Sequence, residues 1–200
     1  MPMIINEELL LSSGAELISY VTNDVIFKEG DIPKYYFQIK TGTVKINTYH
    51  EDGREIIHSI PFDGHCLVES SLFVDKAYPV NAVAMAASKI IRLEKARFLE
   101  LIGSSSELLA QLYSYTAERM YYRHVMLNNI SSPDPGTKVK RVMESLKAYN
   151  QYTHQYSYQF PFTRQQLASL TGLCVETVIR VVKKMEKEKA VRIENGKIFY

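Results

Sequence analysis

Glu176, Arg180, Lys183, Lys184 and Lys187 fall at i, i+4, i+7, i+8 and i+11, a spacing that gathers them on one side of a helix. Val178, Val182 and Met185, with Val181 beside them, fall on the opposite side and would face a core. A guanidinium can chelate O6 and N7 of guanine, a carboxylate can accept from N4 of cytosine, and lysines suit phosphates. The polar face therefore begins in base-edge chemistry and ends in phosphate chemistry. A solvated basic face on an ordinary helix has the same period, so the distinction rests on the neighbouring elements.

Those elements favour a reading head. Thr163 followed by Gln166 is a capping-box pattern, and Leu167, Ala168 and Leu170 give a short first helix its apolar face. Gly172, four residues after Ala168, suits the positive φ of a tight turn between helices. Residues 191–200 then read VRIENGKIFY, a hairpin with Asn195-Gly196 at its turn. A helix-turn-helix followed by such a hairpin is a winged helix, whose second helix enters the major groove.

The charge distribution agrees. Residues 1–128 carry 12 Lys/Arg against 16 Asp/Glu, and residues 129–200 carry 12 against 6, so only the second part suits a polyanion. Two distant cysteines, Cys66 and Cys174, exclude a disulfide framework and fit a reducing compartment. The N-terminal stretch lacks a basic n-region, and the longest apolar run, residues 82–87, is too short to cross a bilayer. A cytoplasmic protein without membrane attachment is expected. No Gly-rich phosphate loop, HExxH, GxSxG or paired-carboxylate spacing points to an enzyme.

The first half has a different texture. Residues 6–20 read as an amphipathic entry helix. From Val25 to Arg92, glycines at 30, 42, 53 and 64 punctuate short runs rich in β-branched and aromatic residues, the pattern of an all-β roll. A short helix over 94–102 follows. Ser104 and Glu107 suggest a capping box opening a long helix that runs to about Asn129. In it Leu108, Leu112, Tyr115, Tyr122 and Met126, with Arg119 interrupting, step by four and three as a dimerisation seam would. Ser131 to Gly136, SSPDPG, reads as a hinge. The expected fold is α+β: a β-roll sensor domain over 1–103, a dimerisation helix over 104–130, a hinge over 131–136 and a winged helix-turn-helix over 137–200.

In this order the pieces resemble a Crp/Fnr-type transcriptional regulator over nearly the whole chain. VIFKEGD, TGTVKI, EDGREIIHSIPFDG and LVESSLF are similar to that family's cyclic-nucleotide-binding-like roll, and TRQQLASLTGLCVETVIRVVKKME to its reading head. The resemblance implies that Val175, Glu176, Thr177 and Arg180 read bases, and that Thr163, Arg164, Gln165, Lys183 and Lys184 contact phosphates. It implies a homodimer on double-stranded DNA, reading an inverted repeat with TTGA-like half-sites, and contact with RNA polymerase if the protein is an activator. Cys174 stands where the family often has Ser; a thiol is a poor acceptor, so the second helix would start without a strong cap, or be redox-sensitive.

The same comparison places a candidate effector pocket at Gly64, Glu69, Ser70, Tyr78, Met126 and Leu127. Glu69 matches the acid that binds ribose in cAMP sensors. Tyr78 and Pro79, however, stand where a nucleotide phosphate wants an Arg and a hydroxyl, and Met126 and Leu127 are apolar. These departures speak against cAMP. An iron–sulfur cluster would need four cysteines. His65 and Cys66 are the two adjacent residues that could ligate haem iron. The effector is left unidentified, and the alternative function is a cyclic-nucleotide-binding module acting on a protein partner.

Overall fold

The computed structural model describes residues 3–74 and 76–200. They pack as two compact units, one up to Arg119 and one from Met120 on.

The first unit opens with α1 (Glu7–Ser12), whose N-terminus is capped by the Asn6 side chain. The expected entry helix is therefore less than half as long: Ser13 caps its end, Gly14 takes a positive φ, and ELISY forms β1 (Glu16–Tyr20). Strands β2 (Val25–Phe27), β3 (Tyr35–Thr41), β4 (Val44–Tyr49), β5 (Glu55–Ser59), β6 (Asn81–Ala84) and β7 (Ser88–Glu94) complete the roll. They form two antiparallel sheets, ordered β1-β7-β3 and β2-β6-β4-β5. At the β3–β4 turn Gly42 has φ +118°, and a Cβ there would lie 2.7 Å from the Cα of Ser88, so only glycine fits.

Alternation along the strands sends side chains to two cores. Phe37, Ile39 and Ile90 of one sheet meet Phe27, Val44, Ile46 and Ala82 of the other, together with Leu67 and Tyr78, and fill the roll. Tyr36, Ile91 and Leu93 point to the other side of β3 and β7, which is covered by Ile5, Leu10, Phe98, Ile102, Leu112 and Tyr115. The central sheet is thus buried on both faces. The helices α2 (Lys95–Gly103) and α3 (Ser106–Ile130) supply most of the second layer. Ser104 ends α2, and Ser105 instead caps α3 by accepting from Leu108 N at 3.3 Å.

In the second unit, α4 (Pro135–Tyr149) begins inside the expected hinge. Asp134 caps it at 2.6 Å from Thr137 N, and Pro135 takes the first position, where a missing N–H costs nothing. After β8 (Gln159–Phe160) come α5 (Arg164–Thr171), α6 (Val175–Lys187), β9 (Arg192–Glu194) and β10 (Lys197–Phe199). Asn195 and Gly196 both take positive φ at the β9–β10 turn, as a two-residue hairpin requires. One core joins Val139, Val142 and Met143 of α4, Leu167 and Ala168 of α5, Val178, Val182 and Met185 of α6, and Val191 and Ile198 of the wing. Met126 and Ile130, at the end of α3, pack against this core, and Asn129 donates to Ser145 Oγ at 2.6 Å. The segment expected to be a hinge therefore lies within the second unit. No helix among the described residues is long and apolar enough to cross a membrane.

Candidate nucleic-acid interface

The reading head is assembled from local chemistry. Thr163 and Gln166 form a complete capping box: Thr163 Oγ1 accepts from Gln166 N at 3.1 Å, and Gln166 Oε1 accepts from Thr163 N at 2.8 Å. Gly172 ends α5 with φ 66°. Cys174 starts α6 without a side-chain bond to the helix backbone, as expected of a thiol; its Sγ instead lies 3.1 Å from Thr177 Oγ1. That contact holds the exposed thiol below the usual cysteine pKa.

Burial of Val178, Val182 and Met185 turns the opposite face of α6 to solvent. There Glu176, Ile179, Arg180, Lys183, Lys184 and Lys187 line one groove of about 450 Å³. Lys184 also faces Glu188 at 3.8 Å, an exposed pair on the last turn. Glu176 sits in the first turn of α6, where the helix dipole favours a carboxylate. The groove brings together acceptors and donors for base edges at one end and ammonium groups at the other.

The remaining expected contacts are distributed differently. Val175 packs partly against the core, and Thr177 is partly buried and engaged with Cys174, so neither sits in the groove. Thr163 and Gln165 are exposed at the start of α5. Arg164 donates from Nη1 to the carbonyl of Gly196, tying α5 to the wing turn. Ile179, which the sequence reading left unassigned, is 40% exposed in the middle of the groove. Its position three residues after Glu176 was the available signal; an apolar side chain there can meet a thymine methyl.

The residues of the expected dimer seam make contacts within the chain. Leu112 and Tyr115 are 2% and 6% exposed because they complete the core of the first unit. Tyr122 sets its ring edge-on to Tyr149 at 4.7 Å, and Met126 packs on the second core. Leu108 is partly buried on the same side. Leu112 and Tyr115 are thus enclosed within the chain, whereas Tyr122 keeps 36% of its surface exposed. The open apolar side of α3 is one residue further on: Leu109, Tyr113, Met120 and Leu127 are 47%, 74%, 54% and 55% exposed.

The candidate effector pocket is also divided. Tyr78 is buried in the roll, stacked on Phe27 at 3.9 Å between ring centroids, where it fills rather than lines the interior. Glu69 lies in a 3-10 turn (Glu69–Phe73), is 4% exposed, and accepts from Thr116 Oγ1 of α3 at 3.0 Å. Gly64 is buried, Ser70 is exposed, and Leu127 is exposed on α3. Met126 packs on the second core. His65 and Cys66 are not set out for a haem iron. His65 Nδ1 accepts from Phe62 N at 3.2 Å, and the buried Cys66 thiol lies 3.2 Å from Tyr36 Oη. Burial, with Glu69 nearby, pushes the thiol well above its ordinary pKa.

Comparison with known proteins settles the family. Residues 17–105 match the cyclic nucleotide-binding domain, and residues 139–199 match the Crp-like helix-turn-helix domain. The chain belongs to the Crp/Fnr family. It is 24% identical over 181 residues to the cAMP-activated global transcriptional regulator CRP of Salmonella typhimurium, covering 90% of this chain and 86% of that one. Identity to the cAMP-activated global transcriptional regulator Vfr of Pseudomonas aeruginosa is 27%, covering 88% and 84%. The c-di-GMP responsive global regulator CLP of Xanthomonas campestris has the same fold, with a TM-score of 0.81 at 20% identity over 96% of both chains. FixK2 of Bradyrhizobium japonicum gives 0.77 at 17% identity over 92% and 91%. This Crp/Fnr protein is a DNA-binding transcriptional regulator.

Proposed function

We propose that this regulator acts as a homodimer that reads an inverted repeat of TTGA-like half-sites, each through Glu176 and Arg180. The groove on α6 carries the reading, because Glu176, Ile179 and Arg180 share it with Lys183, Lys184 and Lys187. Glu176 accepts from cytosine N4 and Arg180 chelates guanine, while Ile179 adds an apolar contact to a thymine methyl. Lys183 and Lys184 hold phosphates, with Thr163 and Gln165 at the start of α5 as further backbone contacts. Arg164 fixes the wing as its main task, given its bond to Gly196.

The dimer forms along the exposed stripe of α3. Leu109, Tyr113, Met120 and Leu127 fall at i, i+4, i+11 and i+18, so they share one side over about 27 Å of helix. A second copy of the same stripe would remove this surface from water, with Ala117 and His124 filling the intervening turns. The hydrophobic side chains of this stripe are too exposed to be explained by folding alone.

Selection from a random DNA pool with purified protein tests the reading. A two-fold symmetric sequence with half-site centres about one helical turn apart is expected. Enrichment of unrelated sequences without symmetry, or of none under any added nucleotide, would refute it.

A further inference from the structure

A continuous set of buried and half-buried hydrogen bonds joins the loop before the 3-10 turn to just over one turn of α3, all of them between groups of the chain itself. Thr116 Oγ1 donates to Glu69 Oε1 at 3.0 Å. Arg119 Nη1 donates to the carbonyl of Cys66 at 2.9 Å and to Tyr115 Oη at 2.6 Å. Tyr115 Oη also accepts from Cys66 N at 3.2 Å. On the other side of Cys66, Tyr36 Oη meets its thiol and donates to Gln38 Oε1. The wholly buried Gln38 then holds both backbone groups of Ile5, accepting from its N at 3.1 Å and donating to its carbonyl at 2.9 Å. Tyr115, Thr116 and Arg119 thus each grip the segment between Cys66 and Glu69.

Burial makes these bonds mandatory. A carboxylate as enclosed as Glu69 needs a donor, and the Cys66 carbonyl would otherwise be left unsatisfied. Burial works against the Arg119 charge, but Tyr115, Glu69 and Cys66 around it outweigh that effect and keep its pKa raised. On the opposite face of β3, the roll is closed by its own aromatic side chains, Phe27, Phe37 and Tyr78. The polar groups of this segment are thus engaged by α3, while Phe27, Phe37 and Tyr78 pack together inside the roll.

We infer that Arg119 and Thr116 act as a built-in substitute for an effector, holding the Cys66–Glu69 segment on α3 so that the free protein is competent for its DNA. This inference rests on the DNA reading given above. It makes Arg119 and Thr116 positioning residues, acting through the register of α3, which continues as one helix to Ile130.

The test compares wild type, Arg119→Met and Thr116→Val as full-length protein. Each is freed of nucleotides and titrated against the selected operator and a scrambled duplex, with and without saturating cAMP or c-di-GMP. Hydrogen exchange of residues 66–73 is followed in parallel. Wild type should bind the operator without additive, and neither nucleotide should change its affinity by more than about twofold. Both variants should lose about tenfold in operator affinity, keep their affinity for scrambled DNA, and exchange faster at 66–73. Thr116→Val removes one hydroxyl at nearly constant shape, so it reports even if the loss of Arg119 unfolds the domain. A wild type that needs a nucleotide overturns the inference while leaving the DNA reading intact. Faster exchange at 66–73 in Thr116→Val without loss of operator affinity overturns it too, because the bonds would then be structural only. Failure of wild type to distinguish operator from scrambled DNA under every condition removes the DNA reading, and this inference with it.

Discussion

Truncating Arg180 separates base reading from general attraction to DNA. The side chain is exposed on α6, so Arg180→Ala should change folding stability by less than about 0.5 kcal/mol. A bidentate contact to guanine is worth about 1–3 kcal/mol, and a symmetric operator uses two of them. A homodimer should therefore lose about 2–6 kcal/mol on its selected sequence, roughly thirtyfold to twenty-thousandfold in Kd. Preference at the base pair facing Arg180 should relax. Lys183, in the same groove, supplies the control. Lys183→Ala should weaken operator and scrambled DNA alike, and reduce the salt slope by about 2 for the dimer, one phosphate contact per subunit. Fluorescence anisotropy on both duplexes across a salt series distinguishes the two effects. If Arg180→Ala weakens both duplexes equally, or leaves the base preference unchanged, Arg180 is a phosphate contact and the assignment of the groove is wrong.

The two sides of α3 make opposite predictions. Met120→Glu should leave the fold intact and yield monomers by sedimentation, whereas Leu112→Ala should cost about 2–5 kcal/mol of stability in denaturant unfolding, because it opens a cavity in the first core. Cys174→Ser supplies the missing cap of α6 and should stabilise the second unit by about 1 kcal/mol, read as a rise in its Tm. In alkylation mapped by mass spectrometry, Cys174 should react while buried Cys66 stays unmodified until unfolding. Burial lowers the His65 pKa from 6.5 to about 4, and its Nδ1 must remain unprotonated to accept from Phe62 N. The native state resists a proton that the unfolded chain accepts, so this contribution is complete above pH 6.5 and is lost as pH falls toward 4. It amounts to about 3 kcal/mol across the window, and urea midpoints at a series of pH values should fall less steeply in His65→Gln.

How much of this was legible in the sequence depends on whether a pattern has one solution or two. On α6 the apolar and charged sides are exclusive, so spacing alone assigned Val178, Val182 and Met185 to the core and Glu176, Arg180 and the lysines to solvent. The turn at Gly172 and the hairpin at Asn195-Gly196 were equally readable, because few residues tolerate their φ values. Val175 and Ile179 were not: both are β-branched and lie at the edge between the two faces, where a shift of a few tens of degrees decides which is buried. The seam on α3 was ambiguous for a related reason. Leu108 and Leu109 are adjacent, as are Tyr121 and Tyr122, so this helix carries two apolar faces and a step of four and three fits either.

Arg119 shows what a choice of face conceals. As a member of a dimer seam it was a charge interrupting an apolar run. Once Leu112 and Tyr115 belong to the first core, the same residue falls where the Cys66 carbonyl and Tyr115 Oη need a donor. One side of the helix is fastened to the roll by side chains of its own chain, and in the proposed dimer the exposed side bearing Tyr113 and Met120 receives the second copy. In the proposed dimer, fastening and pairing share α3, so loosening the bonds of Thr116 and Arg119 is expected to change the pairing. Disruption of the buried bonds should accordingly weaken the dimer as well as operator binding. Sedimentation equilibrium of Thr116→Val supplies the check: unchanged dimerisation alongside reduced operator affinity would show that the two sides of the helix are not coupled.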